Sequence, residues 1–555
     1  MWASGDPDLN PEHPPLMKRA LGATWLGADL PPVEAVPGYS EKNQWVFGQS
    51  LLFSDWKLAP KLLLRARLLN ILISVALCVG ILLTVTRRFS ARAGIAALGL
   101  YALDPLAIAH SGLATLDVPS AASIFAAMFA ACTAFSTSRA ARAVLAGALV
   151  GVALAIKVSA VVLVPLLIAM ACFSKPSKKM HLWFHHPFAT LLVIAGTAIV
   201  IVLAAGYPEP ASWLRSWDMQ NQHASLGDPA YALGFRSVVG WWWYYPVAWA
   251  IKTPLAVLLA SATGAVWIVK ALRRDIRQII TLLGVPIVLF AYSLHSRVDI
   301  GVRQLLAATP FLAVAGGVAV DRVAGLRIGP TLLAALALWL VIGTARVHPS
   351  EIAYANELVG GPSHLYRILS DSNVDWGQAL PDLASYLRKQ PVRRLWLRYF
   401  GTGVPEAYGI GNYRRIVGRS LDKHENNDGP QREGRELLAI STYHLMDVGA
   451  DPAVSAWFRA RTPMSIPGFA IAVFDITNDK ESYRQLAKMA ERIDDPSSAW
   501  GAWQRLSELD PAATDPLSGG ARALARLGRA QDAKGMCSVF LARVPGANPL
   551  SCAWK

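Results

Sequence analysis

Leu68-Leu69-Asn70-Ile71-Leu72-Ile73-Ser74-Val75-Ala76-Leu77-Cys78-Val79-Gly80-Ile81-Leu82-Leu83-Thr84-Val85-Thr86 runs without a charge and then meets Arg87-Arg88. As a helix rising about 1.5 Å per residue, such a run crosses a hydrocarbon core about 30 Å thick. Further apolar blocks follow it. The sequence predicts ten membrane helices, near 65–86, 93–109, 119–135, 141–155, 158–173, 188–206, 244–269, 278–294, 303–320 and 329–344.

Composition agrees with that pattern. Of the 555 residues 54% are hydrophobic and 16% charged, against about 25% charged in an ordinary soluble protein. Mean hydropathy is +0.35. The formal net charge is +15, but it does not point to nucleic acid, since no nucleic-acid-binding signature accompanies it. Much of the Lys and Arg lies in short loops, where it sets topology and meets anionic lipid. Cys78, Cys132 and Cys172 fall in or beside apolar helices, and no Cys spacing suggests a structural metal site. Cys537 and Cys552 share the tail, where a bond between them would require an oxidising compartment.

The basic loops fix the orientation. Arg87, Arg88 and Arg92 follow the first helix, Arg139 and Arg142 the third, and Lys175, Lys178 and Lys179 the fifth. Lys270, Arg273, Arg274 and Arg277 follow the seventh, and Arg322 and Arg327 the ninth. Alternate loops are therefore cytoplasmic. Residues 1–64 form a first external loop, 65–344 the membrane domain, and everything after 345 lies outside. Residues 345–478 mix strand-like runs (Arg394–Phe400, Leu437–Ser441, Ala470–Ile476) with the helical Leu380–Arg388, a small α/β domain. Residues 479–555 read as a helical tail with a 34-residue period, either tetratricopeptide-like or a plain helical cap. Such a tail could pack on the preceding domain or on a protein partner.

Charges at membrane depth are expensive and mark function by default. Asp117 stands just before the third helix, as a helix cap or as a metal- or acceptor-binding carboxylate. Lys157 reads as a solvated turn in a tight external hairpin. Lys252 lies about two turns into an apolar helix, either snorkelling outward or facing a phosphate. Arg303 sits in the one external loop that breaks the charge rule, beside Arg297 and Asp299, which could pair. Its planar fork suits phosphate oxygens. Trp241-Trp242-Trp243-Tyr244-Tyr245 is first an interfacial aromatic belt and second a sugar-stacking platform.

Several of these stretches, in this order, resemble one family. Asn10-Pro11-Glu12-His13-Pro14-Pro15-Leu16-Met17-Lys18 is similar to the first external loop of bacterial glycosyltransferase family 39, of the GT-C superfamily. Ala109–Pro119 is similar to its second external loop, and Gly240–Leu255 to the start of a later helix. Gly301-Val302-Arg303-Gln304-Leu305-Leu306 resembles its Gly-x-Arg-Tyr-x-Leu. Asn356-Glu357-Leu358, Gly360-Gly361-Pro362 and Asp371-Ser372-Asn373-Val374-Asp375-Trp376-Gly377-Gln378 match the start of its external domain.

The resemblance implies an enzyme of the plasma (inner) membrane that takes a sugar from a polyprenyl-phosphate, inverting the anomeric centre. The acceptor would be a protein, glycan or lipid. A carboxylate base would act on the acceptor hydroxyl, typically worth about 10²–10⁴-fold, and cationic side chains would receive the leaving phosphate. By position His13, Lys18, Lys252 and Arg303 would face that phosphate. Asp117 and Glu12 are the catalytic carboxylates carried over, with Asp117 also the expected holder of a divalent cation. Asp371, Asn373, Asp375 and Trp376 mark the external domain. The family's usual Asp-Glu pair belongs at the end of a helix upstream of the Pro-Glu-His-Pro-Pro motif. Topology and motif therefore both lead one to expect a helix before Met1. Asp6, Asp8 and Glu12 are the acids present in the loop, and none matches the pair. Two other readings stand beside the enzyme: a catalytically degenerate relative that binds lipid-linked sugar as an envelope scaffold, and a transporter, for which inverted repeats would be expected.

Overall fold

The structure is a computed structural model that describes residues 8–137, 139–174, 187–417 and 433–553. Asp6 and the loop lysines Lys175, Lys178 and Lys179 lie outside the described residues. The chain forms two compact units, Met1–Leu365 and Tyr366–Lys555.

In the first unit, α1 (Pro15–Ala23) and α2 (Gln44–Leu52) precede the long α3 (Ala59–Arg88). Then come α4 (Ala91–Ala102), α5 (Pro105–Ser111), α6 (Asp117–Thr137), α7 (Ala140–Ile156), α8 (Leu163–Cys172) and α9 (Pro187–Gly206). An extramembrane stretch carries α10 (Ser212–Leu226) and the hairpin β1 (Ala230–Ala232) and β2 (Phe235–Ser237). The unit closes with α11 (Tyr244–Lys252), α12 (Leu255–Leu272), α13 (Ile276–Ser293), α14 (Thr309–Val323), α15 (Gly329–Ala345) and the one-turn α16 (Pro362–Leu365).

All ten expected segments are helical, but they are not ten uniform spans. Among the described residues six helices are long and apolar enough to cross a membrane, and the bent pair α4–α5 brings the number to seven. Ala140–Ile156, Val158–Cys172 and Gly329–Ala345 are apolar but shorter. The α6 helix and the span Val302–Val323 are buried over 78% and 72% of their apolar windows, whereas α3 and α9 are buried over only 22%. The first two therefore form the centre and the others turn side chains toward lipid. Small residues let helices touch: a Cβ on Gly147 would meet the Ile194 carbonyl at 2.6 Å, and one on Gly151 the Ala198 carbonyl at 2.8 Å. Such close backbone approach is how helices associate where lipid and side chain are equally apolar.

Two segments expected to be continuous are broken, each at a proline. The chain turns by 66° between α4 and α5, where Asp104 leaves the helical region and caps Leu106 N–H at 2.9 Å. The segment expected over 244–269 breaks at Thr253-Pro254, with Thr253 extended. Proline cannot donate to the carbonyl four residues back and pushes its predecessor out of the helix. The sequence-level boundary at 345 also moves. Asn356 serves the second break from within the first unit: its Nδ2 donates to Ala250 O at 2.6 Å and Thr253 O at 2.8 Å, and its backbone N–H to Ile251 O at 2.9 Å. Residues 345–365 therefore belong to the membrane unit.

The second unit opens with α17 (Leu380–Leu387), β3 (Val392–Arg398), β4 (Arg414–Arg415) and β5 (Arg435–Ser441). The one-turn α18 (Thr442–Leu445) and α19 (Ala456–Arg459) precede β6 (Ile471–Asp475). The sheet order is β4-β3-β5-β6, with β3 parallel to β4 and β5, and β6 antiparallel to β5. This matches the α/β reading, and β4 is the strand too short to be read from sequence. Four helices follow: α20 (Lys480–Arg492), α21 (Pro496–Leu509), α22 (Asp515–Arg526) and α23 (Ala530–Arg543), each packed on the next. Glu436 of β5, fully buried, meets Arg505 of α21 at 3.0 Å and joins the sheet to these helices. Cys537 and Cys552 are disulfide-bonded.

Candidate functional site

The site grows from the first turn of α6. The loop before it is held by Asn70 of α3, whose Nδ2 donates to the Leu113 carbonyl at 2.5 Å and the Thr115 carbonyl at 2.8 Å. That places Asp117, buried, at the helix start, where a carboxylate suits the free N–H groups. Its Oδ1 accepts from Lys157 Nζ at 2.7 Å. Its Oδ2 lies 3.6 Å from Arg303 Nη1 and 3.8 Å from His110 Nδ1. Lys157 also reaches Gln304 Oε1 at 3.4 Å. Two fixed cations thus surround one carboxylate in a buried setting, leaving a net positive cluster.

Lys157 is the main correction. It is not a solvated turn: its side chain is 9% exposed and Asp117 is its principal partner. It is the C-cap of α7, extended in backbone, and the following 3-10 turn Val158–Val162 carries the chain away. The signal available in the sequence was a lone lysine between two apolar runs. The sequence could not say which carboxylate it would meet.

His13 lies within electrostatic reach of the same cluster. Burial, then the charges of Lys157 and Lys18, hold its imidazole well below the usual range, at about 3, so it is neutral near pH 7. Its Nδ1 is buried with no hydrogen-bond partner among the described residues, and so is Asp117 Oδ2. Buried polar atoms in native proteins are nearly always satisfied, so two such atoms within that reach suggest a polar ligand.

The other carried-over residues fall elsewhere. Lys18 turns back on its own loop, donating to Asn10 O at 2.5 Å and His13 O at 2.6 Å. Burial lowers its pKa to about 7. It shapes the His13 loop. Glu12 Oε1 accepts from Gln44 Nε2 at 2.9 Å, and its backbone carbonyl accepts from Gln220 Nε2 at 3.0 Å. Lys252 is buried and donates to the Ile352 carbonyl at 2.5 Å. It neither snorkels nor pairs with Asp117, and it helps Asn356 pin residues 351–356 at the α11–α12 break. Arg297 and Asp299 do not pair: Asp299 Oδ2 accepts from Trp241 N–H at 2.7 Å, while Arg297 donates to Ser225 O at 3.4 Å.

The Asp371–Gln378 motif forms a lock within the second unit. Asp375, buried, accepts from Gly377 N–H at 2.9 Å and from the Ser441 hydroxyl at the end of β5. Burial raises its pKa to about 7. Tyr399, just past β3, donates to Gly377 O at 2.5 Å. Asn373 Nδ2 donates to Ser370 O at 3.1 Å, Trp376 N–H donates to Gln378 Oε1 at 2.7 Å, and Asp371 takes positive φ. The motif ties a turn to the carboxyl ends of two parallel strands.

Among the described residues no group of three or more His, Cys, Asp or Glu is placed to hold a metal ion. Lys157 and Arg303 beside Asp117 would repel a divalent cation, so the residues present do not fit the expected metal.

Comparison with known proteins bears on the same region. Residues 56–204 match the model of the family described as dolichyl-phosphate-mannose-protein mannosyltransferase. That stretch contains Asp117, His110 and Lys157. No curated protein matches the chain. Among solved structures, the chain is similar to ArnT from Cupriavidus metallidurans bound to undecaprenyl phosphate, with 13% identity over 84% of this chain and 88% of that one and a TM-score of 0.38. The apo state of the same protein gives 14% identity over 86% and 91%, with a TM-score of 0.39.

Proposed function

We propose that this chain is an integral-membrane transferase that moves a sugar from a polyprenyl-phosphate to an acceptor on the external face. The observation that carries the proposal is the buried Asp117–Lys157–Arg303 cluster within electrostatic reach of neutral His13; Asp117 and Lys157 lie in the stretch that matches a mannosyltransferase family model. In the reaction the acceptor oxygen attacks the anomeric carbon, the bond from that carbon to the phosphate oxygen breaks, and the polyprenyl-phosphate departs with the bonding pair. Negative charge grows on the phosphate as this happens. Fixed cations stabilise such charge at no cost of reorganisation, and Arg303 and Lys157 are the groups for it. Asp117 holds the two cations together and fixes their geometry. His13 presents a neutral ring to the donor. The acceptor proton passes to a carboxylate, for which Glu12 is the candidate within the described residues.

The sugar is a hexose, pentose or amino sugar, and the acceptor a protein, glycan or lipid. The C-terminal unit is placed outside the plasma membrane. The Cys537–Cys552 bond supports that placement, since such bonds persist in oxidising compartments, and so does the alternation of basic loops.

The test is transfer from labelled polyprenyl-phosphate sugars in proteoliposomes, across several donors and acceptors, with and without EDTA. Transfer that Arg303→Ala abolishes supports the enzyme. Donor binding without any transfer would replace the enzyme by a lipid-linked-sugar-binding scaffold.

A further inference from the structure

The stretch between α9 and α11 lies between two membrane-spanning helices, α9 and α12, so both of its ends start at the membrane surface. Its base is firmly set. Gly227, at φ 76°, lies so close to Val238 that a side chain has no room. Asp228 N–H donates to Arg297 O at 3.3 Å, and the Tyr245 hydroxyl to Val298 O at 2.6 Å. With the Trp241–Asp299 bond, these pin the base of the hairpin to the 297–299 loop. One side of the hairpin is packed inward, since Ala230, Tyr231 and Ala232 are all buried.

The other side is open and apolar. Leu226, Leu233, Phe235, Val238, Val239 and Trp242 are each between 47% and 77% exposed. Monomeric soluble surfaces rarely gather so many large apolar side chains without a partner. The turn itself adds an independent observation. Leu233 and Gly234 both have positive φ, 52° and 90°, as a two-residue hairpin turn requires. Asn, Asp or Gly normally fills the first position, because a branched side chain is strained there. Here a leucine accepts that strain and points its side chain outward. Apolar surroundings make a leucine at that tip favourable where water would favour a polar residue. Arg236, next to Phe235, and Arg297, at the base, supply cations of the kind that meet lipid phosphates.

We propose that the hairpin tip, with Val238, Val239 and Trp242, inserts into the external leaflet of the bilayer as a fixed lipid-binding wedge. The occupant is lipid acyl chain and headgroup. A second copy of this chain is the rival occupant.

The experiment uses the full chain with Cys78, Cys132 and Cys172 replaced by serine and an environment-sensitive fluorophore on Phe235→Cys, Val239→Cys or Trp242→Cys. Asn221→Cys on the exposed face of α10 is the aqueous reference. Each variant is reconstituted into phosphatidylethanolamine–phosphatidylglycerol vesicles. Doxyl-labelled lipid should quench the three hairpin positions several-fold more than iodide does, and iodide should dominate at position 221. Iodide quenching of the hairpin positions at the level of position 221 overturns the proposal, because the tip is then in water. Protection from both quenchers also overturns it, because protein then covers the tip.

Discussion

Lys157 Nζ sits 2.7 Å from Asp117 Oδ1, across 40 residues of sequence and between side chains that are 9% and 3% exposed. Breaking a buried ion pair costs about 3–5 kcal/mol when the remaining charge is left alone; without Lys157, Asp117 keeps Arg303 at 3.6 Å, so the loss should fall at or below the lower end of that range. Lys157→Met should therefore destabilise the membrane unit by that order. Lys157→Met with Asp117→Asn should recover most of the loss while still lacking transfer. Thermal unfolding in detergent alongside the transfer assay separates the two effects. A single variant as stable as the parent would show that the pair contributes nothing.

Arg303 presents its guanidinium beside Asp117 with only 18% of the side chain exposed. Losing one preorganised donor of this kind typically costs about 10²–10³ in rate. Arg303→Ala should show that loss in kcat, and Arg303→Lys should restore only part of it, because an ammonium lacks the planar fork. Equal kcat in the parent and Arg303→Ala would remove Arg303 from the reaction.

His13 titrates at about 3 in the folded chain because burial and nearby cations oppose its charge, against about 6.5 when unfolded. Between those values the unfolded chain binds the proton and the folded chain does not, so stability rises with pH. The contribution is complete above about pH 6.5 and is lost as pH falls toward 3. Between pH 7 and pH 5 it should amount to roughly 1–2 kcal/mol. His13→Gln should flatten that part of the stability profile. An unchanged slope from pH 7 to pH 5 would assign the dependence to other groups.

Asn356 donates to the carbonyls of Ala250, Ile251 and Thr253 at the α11–α12 break. Asn356→Ala removes the two bonds its Nδ2 donates and the one its Oδ1 accepts from Leu358 N–H, and leaves buried acceptors, at about 1–3 kcal/mol each. Asn356→Asp should fare no better, since a carboxylate has no N–H to give. Limited proteolysis after Ala345 should accelerate in both variants. Unaltered cleavage would mean that the backbone bond alone suffices.

Cys537 and Cys552 close a loop of separation 15, for which chain entropy suggests about 3 kcal/mol. Cys537→Ala with Cys552→Ala should lower the melting of the C-terminal unit accordingly. In cells the unmodified pair should resist maleimide labelling until reduced. Ready labelling without reductant would place the tail in a reducing compartment.

Residue patterns carried some parts of this protein and not others. Leu68–Thr86 announced its helix because nothing in it can face water cheaply, and β3, β5 and β6 showed in short apolar runs. Asp104-Pro105 and Thr253-Pro254 mark the α4–α5 bend and the α11–α12 break, yet both lie inside segments that the residue pattern predicts as continuous helices. In an apolar run a proline does not say whether a neighbour will satisfy the freed carbonyls or the chain will turn. Asn356, which satisfies them at the second break, lies roughly a hundred residues away.

Residue order was enough to mark the apolar segments and the residue types that could meet a phosphate, because hydrophobicity, charge and motif are local properties. Which cations share Asp117 is settled only by packing. Lys157 joined it and Lys252 did not, although each is a lone lysine in apolar surroundings. Pairing depends on distances of a few ångströms between elements far apart in the chain, and those distances are set by helix packing.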